Sequence, residues 1–162
     1  EKGSQLKIWR ALERIKNEER SRSIGVSNFA PRHLEELLVE CRHRPVVNQI
    51  ELSPFLQQEK IYSFCQKQEI HLTGYCPLSR GYRFEDPTLN MVAKDVKKSA
   101  AQVMIRWGLQ RGHSVIPKSI NPLRILENID VFEFNLNNEQ MKILDKLEEE
   151  LRFCPDPQEI EV

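Results

Sequence analysis

The chain has 162 residues, of which 40% are hydrophobic and 30% charged, and its 24 lysine and arginine residues balance 24 aspartate and glutamate residues. This length and composition are typical of one soluble domain with a hydrophobic core, and they argue against a disordered or membrane-spanning chain. The balanced charge, without any basic block, predicts no binding to nucleic acid or to an anionic membrane, so an anion site must come from a local cluster.

The cysteines and the N-terminal residues indicate the cellular compartment. The four cysteines lie far apart and show no paired spacing of the metal or redox kind: Cys41, Cys65, Cys76 and Cys154. No signal-peptide pattern opens the chain, and no apolar stretch approaches the length of a membrane span. We expect a cytoplasmic protein with reduced thiols and no metal site.

The predicted elements begin with a helix. Its buried face is predicted from residues at helical spacing, namely Ile8, Ala11, Leu12 and Ile15. The apolar run 23–26 then predicts a short strand. Pro31 suits the first position of a second helix. The buried face of this helix repeats the same spacing at Leu34, Leu37, Leu38 and Cys41.

The alternation continues through the middle of the chain. Residues 46–50 predict a strand that ends before Pro54, and residues 70–75 predict the next strand. A helix between them is indicated by Ile61, Phe64 and Cys65.

Three helices and one strand are predicted toward the C-terminus. Ser99 is a candidate N-cap of a helix that ends at Gly112, and the strand 114–116 follows. The buried stripe of this helix is predicted to contain Ala100, Val103, Met104 and Trp107. Further helices are predicted from about Pro122 and from about Glu139, the latter preceded by a capping-box pattern of Asn137 and Gln140.

Strands that alternate with helices of crossover length predict an α/β fold with a parallel sheet. Only four strands are predicted, whereas a closed (β/α)8 barrel has eight. The first helix also has no strand before it, so we expect the sequence to begin within a β/α repeat. We therefore expect one incomplete (β/α) barrel domain over residues 1–162, with an irregular tail at 154–162.

Polar residues follow each predicted strand. Ligands of α/β folds gather at the carboxyl ends of strands. The clusters at these positions are Ser27 with Asn28, Gln49 with Glu51, residues 75–78, and Lys118 with Ser119.

Three of these clusters have more than one interpretation. Ser27 and Asn28 also suit an ordinary turn. Gln49 stands with Asn48 inside an otherwise apolar strand, where its amide would serve either an internal hydrogen bond or a ligand. Tyr75 would suit a general acid, a stacking surface or an amphipathic residue at the edge of the core.

The segment 115–128 (VIPKSINPLRILEN) carries the sharpest local signal. Asn121 can cap a helix with Pro122 at its first position, so the helix N-terminus lies beside the ammonium of Lys118 and the hydroxyl of Ser119. This combination suits a phosphate.

The helix that follows has one polar face, formed by Arg124, Glu127 and Asn128. A solvated face with a weak side-chain pair would explain the same pattern. The opposite side is expected to pack, and it contains Ile125, Leu126 and Ile129. The position after the last strand favours phosphate binding.

Four short motifs occur in the order and spacing found in the aldo-keto reductases. They are residues 23–29 (SIGVSNF), 47–51 (VNQIE), 74–78 (GYCPL) and 116–119 (IPKS). The chain resembles the C-terminal part of such a reductase, from the helix before the fifth barrel strand to the end. This resemblance implies the C-terminal half of a TIM-type (β/α)8 barrel that uses NADP(H) to reduce aldehydes and ketones.

The resemblance also implies a cofactor-binding role for ten residues. The nicotinamide carboxamide would be bound by Ser27, Asn28 and Gln49, and the nicotinamide ring would stack on Tyr75. Leu78, with residues 79–81, resembles the loop that covers the pyrophosphate. The 2′-phosphate would be bound by Lys118, Ser119 and Arg124, and the adenine by Glu127 and Asn128.

The family's catalytic tyrosine, lysine, aspartate and histidine come from its first four β/α units, and those motifs do not occur in this sequence. We therefore predict no catalytic residue. Two functions stay open: a partial sequence or isoform of an NADPH-dependent reductase of a small carbonyl substrate, or a truncated, inactive chain that acts as a weak nucleotide-binding or protein-interaction module. The sequence predicts no particular oligomeric state.

Overall fold

A computed structural model describes residues 4–159 of the chain. This part contains seven α-helices, four strands and one short 3-10 helix at Ser79–Gly81. In chain order the helices and strands are α1 (Ser4–Asn17), β1 (Val26–Ser27), α2 (Pro31–Glu40), β2 (Val47–Glu51), α3 (Glu59–Lys67), β3 (His71–Tyr75), α4 (Pro87–Val96), α5 (Ala100–Gln110), β4 (Ser114–Val115), α6 (Pro122–Ile129) and α7 (Asn138–Asp145).

The four strands form one parallel sheet in the order β1-β2-β3-β4, which confirms the predicted α/β class. In β1 and β2, Ser27 is the register partner of Gln49. A Cβ atom on Gly25 would lie 2.7 Å from the carbonyl oxygen of Val47, so only glycine permits this close approach just before β1.

The chain separates into two compact units. One comprises Glu51–Gln58 and Thr73–Phe153, and the other comprises the remaining described residues, 4–50, 59–72 and 154–159. The core of the first of these units contains Phe55, Leu89, Val92, Val103, Met104, Trp107, Leu136 and Leu144. A small cluster in the other contains Trp9, Ile24 and Leu37. The single incomplete barrel domain stays a prediction.

The N-terminal ends of α5 and α7 lie where their capping residues predict them. The hydroxyl of Ser99 accepts a hydrogen bond from the amide of Gln102, and the side chain of Asn137 accepts one from the amide of Gln140. Both are capping boxes; the sequence predicts the box at Asn137, and at Ser99 it predicts the N-cap alone. Residues 154–159 contain neither helix nor strand, and residues 160–162 of the predicted irregular tail lie outside the described residues.

The buried face of α1 differs from the prediction. Ile8 is 63% exposed, whereas Trp9 and Glu13 are buried. The indole nitrogen of Trp9 donates to the carbonyl oxygen of His43. The Glu13 carboxylate accepts hydrogen bonds from the amides of Arg42 (2.6 Å) and His43 (2.9 Å). Because of these tertiary hydrogen bonds, the face of α1 that contains Trp9 and Glu13 is the buried one.

Helix α4 is absent from the sequence prediction. Asp86 caps it by accepting a 2.8 Å hydrogen bond from the amide of Leu89, and Pro87 occupies the first turn. Leu89, Val92 and Ala93 are buried at helical spacing. The cap, the proline and the buried spacing are all present in the sequence of residues 86–93, so this helix is predictable from local signals.

Candidate functional site

Three of the predicted cofactor-binding residues come together where β1 and β2 end. The carbonyl oxygen of Gln49 accepts one hydrogen bond from the hydroxyl of Ser27 (2.9 Å) and another from the amide of Asn28 (3.0 Å). Asn28 has a φ of 56°, a left-handed conformation that asparagine tolerates better than most residues. The main chain thus bends sharply directly after β1.

The neighbouring amides in β2 have different environments. Asn48 is fully buried; its Oδ1 accepts from the amide of Phe29, and its Nδ2 donates to the carbonyl oxygen of Phe29 and toward the sulfur of Cys65. Gln49 is half-buried, and its side-chain amide makes no hydrogen bond to any residue between 4 and 159. The internal role therefore falls to Asn48, and the amide of Gln49 can serve a ligand.

Two buried or half-buried thiols are poor nucleophiles. Burial raises the pKa of Cys65 to about 11, against the opposing effect of its hydrogen bond with Asn48. Burial, followed by the nearby carboxylate of Glu51, also raises the pKa of Cys76. Both thiols therefore stay protonated at neutral pH, which argues against nucleophilic catalysis by either.

A cavity of about 410 Å³ lies in the unit that contains Thr73–Phe153. Six of the predicted cofactor-binding residues line it: Leu78, Lys118, Ser119, Arg124, Glu127 and Asn128. The other lining residues are Arg80, Gly81, Phe84, Ser99, Ala100 and Ala101. This volume lies within the usual range of small-molecule and cofactor sites.

The charge of this cavity suits an anion. Lys118 and Arg124 are exposed, and neither side chain forms an ion pair or hydrogen bond within the described chain. Arg80 adds a third cation to the lining. Phosphate oxygens accept charge-assisted hydrogen bonds from such groups, and Arg124 can bind two oxygens at once. The lining therefore fits a phosphorylated ligand.

Ser119 takes part in local structure and also lines the cavity. Its hydroxyl accepts a 3.1 Å hydrogen bond from the amide of Asn121. The side chain of Asn121 in turn accepts from the amide of Leu123 and caps α6, as predicted. Ser119 thus shapes the entry to α6.

Tyr75 is the last residue of β3 and is half-buried. Its carbonyl oxygen accepts a hydrogen bond from the amide of Leu52. The tyrosine is not among the residues that line the 410 Å³ cavity, so its stacking role stays a prediction.

The apolar side of α6 is exposed, and the expectation that it packs is wrong for the described chain. The exposed fractions lie between 51% and 65% for Ile125, Leu126 and Ile129. Asn128, by contrast, is 8% exposed on a helix that contacts α5. Sequence periodicity cannot show which face of a helix meets a neighbour.

Four lining residues are not among those predicted for the site: Phe84, Ser99, Ala100 and Ala101. Ser99 is the N-cap of α5, and Ala100 and Ala101 lie in the first turn of that helix. The sequence predicts Ser99 as a helix cap alone. A capped helix start exposes backbone amides, and this was the available signal for a binding wall.

Within residues 4–159 there is no cluster of three or more histidine, cysteine or acidic residues that could bind a metal ion. The helices in that range are all too short or too polar to cross a membrane.

The parallel β/α architecture defines an α/β protein, and its cation-lined cavity could accept an anionic ligand. A sequence model described as the aldo/keto reductase family matches residues 2–149, and the chain belongs to that family. It is 43% identical over 152 residues to a glyoxal reductase of Bacillus subtilis (strain 168), covering 94% of this chain and 55% of the relative. It is 45% identical over 152 residues to a 9,11-endoperoxide prostaglandin H2 reductase of Trypanosoma cruzi (strain CL Brener), covering 92% and 54%.

Solved structures agree with this assignment. The apo form of Gox0644 superposes with a TM-score of 0.94 at 39% identity, covering 99% of this chain and 59% of that one. MGS-M4, an aldo-keto reductase from a Medee basin deep-sea metagenome library, superposes with a TM-score of 0.93 at 34% identity, covering 98% and 60%. The chain spans about half the length of the curated relatives it matches. Its fold is therefore a partial barrel, as expected.

Proposed function

We propose that this chain is the cofactor-binding half of an NADPH-dependent aldo-keto reductase that reduces aldehydes and ketones to alcohols by hydride transfer. The observation that carries the proposal is the cavity that Lys118, Ser119 and Arg124 line together with Glu127 and Asn128. The chain belongs to a family of carbonyl oxidoreductases.

The choice of NADPH over NADH rests on two cations. Lys118 and Arg124 have no acidic partner in the described chain, so a doubly charged 2′-phosphate would gain ion pairs that the free ribose hydroxyl of NADH cannot form. Ser119 adds a hydroxyl donor.

The rest of the cavity suits the remainder of the adenine nucleotide. Glu127 and Asn128 would bind the exocyclic amine and ring nitrogens of adenine. Leu78, Arg80 and Gly81 would cover the pyrophosphate, where the guanidinium of Arg80 supplies positive charge.

At the nicotinamide end, Ser27, Asn28 and Gln49 would hold the carboxamide, and Tyr75 would stack on the ring. The half-buried amide of Gln49, which makes no internal hydrogen bond in residues 4–159, supports this role. The nicotinamide supplies a hydride to the carbonyl carbon. We assign no catalytic residue to this chain.

A carbonyl compound is the proposed substrate of the whole enzyme. Two relatives are named for the reduction of glyoxal and of prostaglandin H2. We also propose a cytoplasmic location, because all four cysteines are free.

A second candidate function is a truncated, inactive chain that acts as a weak nucleotide-binding or protein-interaction module. The exposed apolar side of α6, with Leu126 and Ile129 both 65% exposed, favours this alternative, because contiguous apolar surface is typical of interaction sites.

Calorimetric titration of the purified chain with NADPH and with NADH tests the proposal. The proposed site predicts saturable binding of NADPH, and binding of NADH that is weaker by a factor of ten or more. Equal affinities would contradict the 2′-phosphate site. Lack of binding to either nucleotide would favour the interaction module.

A further inference from the structure

One buried side chain joins two walls of the cavity. Gln102 is 6% exposed and does not line the cavity itself. Its Oε1 accepts a 3.0 Å hydrogen bond from the amide of Ser99. Its Nε2 donates to the carbonyl oxygens of Glu127 (3.2 Å) and Asp130 (2.8 Å), and to the carboxylate of Asp130 (3.1 Å).

These partners belong to two helices that both line the proposed nucleotide site. Ser99 caps α5 and lines the cavity with Ala100 and Ala101. Glu127 lines the cavity from the last turn of α6, and Asp130 is the residue that ends α6. A single amide group thus links the start of one cavity-lining helix to the end of the other.

The hydrogen bonds of Gln102 hold α6 in place, which the exposed apolar side chains of α6 do only weakly. Ile125, Leu126 and Ile129 are mostly exposed, so these side chains anchor α6 weakly. The last carbonyl groups of a helix need partners outside it, and Gln102 provides one to both Glu127 and Asp130. The amide of Gln102 is therefore one of the polar contacts that fix the C-terminal end of α6 relative to α5.

We propose that Gln102 is a positioning residue of the nucleotide site, which holds α6 so that Arg124, Glu127 and Asn128 stand at the correct distance from the first turn of α5. This inference rests on the proposed function. Gln102 does not touch the nucleotide. It acts on the choice between NADPH and NADH through the placement of Arg124.

Lys98 reinforces the same end of α6. Its ammonium lies 2.7 Å from the carboxylate of Asp130. The ion pair with Lys98 and the hydrogen bond from Gln102 both lower the pKa of Asp130, so this carboxylate stays charged at neutral pH. The Nε2 position of Gln102 is thus surrounded by acceptors only.

The substitution Gln102→Glu keeps the hydrogen bond to Ser99 and removes those to α6. A carboxylate oxygen still accepts from the amide of Ser99, so the cap of α5 is kept. The other oxygen replaces a donor and faces two carbonyl oxygens and the Asp130 carboxylate, so the contact with α6 becomes repulsive.

Gln140→Glu is the matched control. Gln140 is also a buried capping-box glutamine: its Oε1 accepts from the amide of Asn137, and its Nε2 donates to Asp95. It lies in α7 and does not line the cavity. The control therefore repeats the chemical change and its cost in stability, without the link to α6.

The measured quantity is the ratio of the NADH to the NADPH dissociation constant at pH 7.5, with the melting temperature of each protein. We expect Gln102→Glu to lower this ratio at least tenfold, and Gln140→Glu to keep the wild-type ratio while its melting temperature falls. Should Gln102→Glu not fold, Gln102→Met gives the measurement, with a decrease in the ratio expected there too.

An unchanged ratio in the Gln102 variant, beside a wild type that prefers NADPH, would overturn the inference and leave the proposed function intact. An equal decrease in the Gln140 variant would also overturn it, because the effect would then reflect lost stability alone. A wild type without any preference for NADPH would overturn the proposed function and the inference with it.

Discussion

The hydroxyl of Ser27 donates a 2.9 Å hydrogen bond to the carbonyl oxygen of Gln49, its register partner on the neighbouring strand. The same oxygen accepts from the amide of Asn28. Three residues that the family resemblance assigns to the nicotinamide carboxamide are therefore held together without any ligand. Such preorganisation lowers the entropy cost of binding.

Substitutions at Lys97 test the C-terminal end of α4, the helix that was not predicted from the sequence. Lys97 ends α4 in the left-handed conformation, with a φ of 55°. Lys97→Gly should raise the free energy of unfolding by about 1 kcal/mol, because glycine adopts this conformation without steric cost. Lys94→Gly, three residues earlier inside the helix, should lower it by roughly 0.5–1 kcal/mol. Urea unfolding measures both, and effects of the same sign would contradict the assigned helix end.

Because of Glu13, the free energy of unfolding should decrease at acidic pH. Burial tends to raise the pKa of its carboxyl group, but hydrogen bonds from the amides of His43 and Arg42 outweigh this, and the pKa is lowered. Its stabilising contribution is therefore complete above the ordinary value of 4.5 and is lost as the pH falls through the lowered folded-state pKa.

Glu13→Gln should thus lower the free energy of unfolding by about 1–3 kcal/mol at pH 7 and make its decline below pH 4.5 less steep. Glu36→Gln, at an exposed position of α2, is the control and should change neither quantity. Urea unfolding between pH 3 and pH 7 would show the difference. A Glu13 variant with the wild-type acid slope would argue against the buried carboxylate.

The exposed side of α6 should drive self-association. Leu123 and Leu126 are 75% and 65% exposed on an eight-residue helix. Leu123→Ser with Leu126→Ser should reduce association of the purified chain in sedimentation velocity runs, with little change in melting temperature. Val39→Ser on α2 removes an equally exposed residue and should have no effect. A wild-type chain that sediments as a monomer at all concentrations would disprove this expectation.

The purified 162-residue chain should not turn over simple aldehydes with NADPH. The family's proton-donating tyrosine and its partners have no counterpart in this sequence, and general acid catalysis contributes about 10²–10⁴-fold to such reactions. A spectrophotometric assay of NADPH oxidation checks this, and reduction above the buffer rate would mean that a group in this chain supplies the proton.

Local chemistry in the sequence was sufficient for much of the fold. The caps Ser99, Asn121 and Asn137 accept hydrogen bonds from amides two or three residues away, so both partners lie in the same short stretch of sequence. That Lys118 and Ser119 lie together at the start of α6 was predictable for the same reason, because these residues are adjacent in the chain.

Tertiary contacts decided the rest. The burial of Glu13 depends on amides about 30 residues away, and Gln102 donates to the carbonyl oxygen of Glu127, 25 residues further along the chain. The exposure of Ile125 depends on which neighbours α6 meets. None of these relationships leaves a periodic pattern in the sequence.

The double variant Lys118→Ala, Arg124→Ala tests the nucleotide site most directly. The matched control is Lys60→Ala, Arg22→Ala, which removes the same two charges from exposed positions away from the cavity. Calorimetric titration with NADPH should show an affinity at least about 100-fold weaker for the first pair, because two charge-assisted contacts are lost. The control pair should bind as the wild type does. Equal NADPH affinity in the wild type and the Lys118, Arg124 variant would contradict the account.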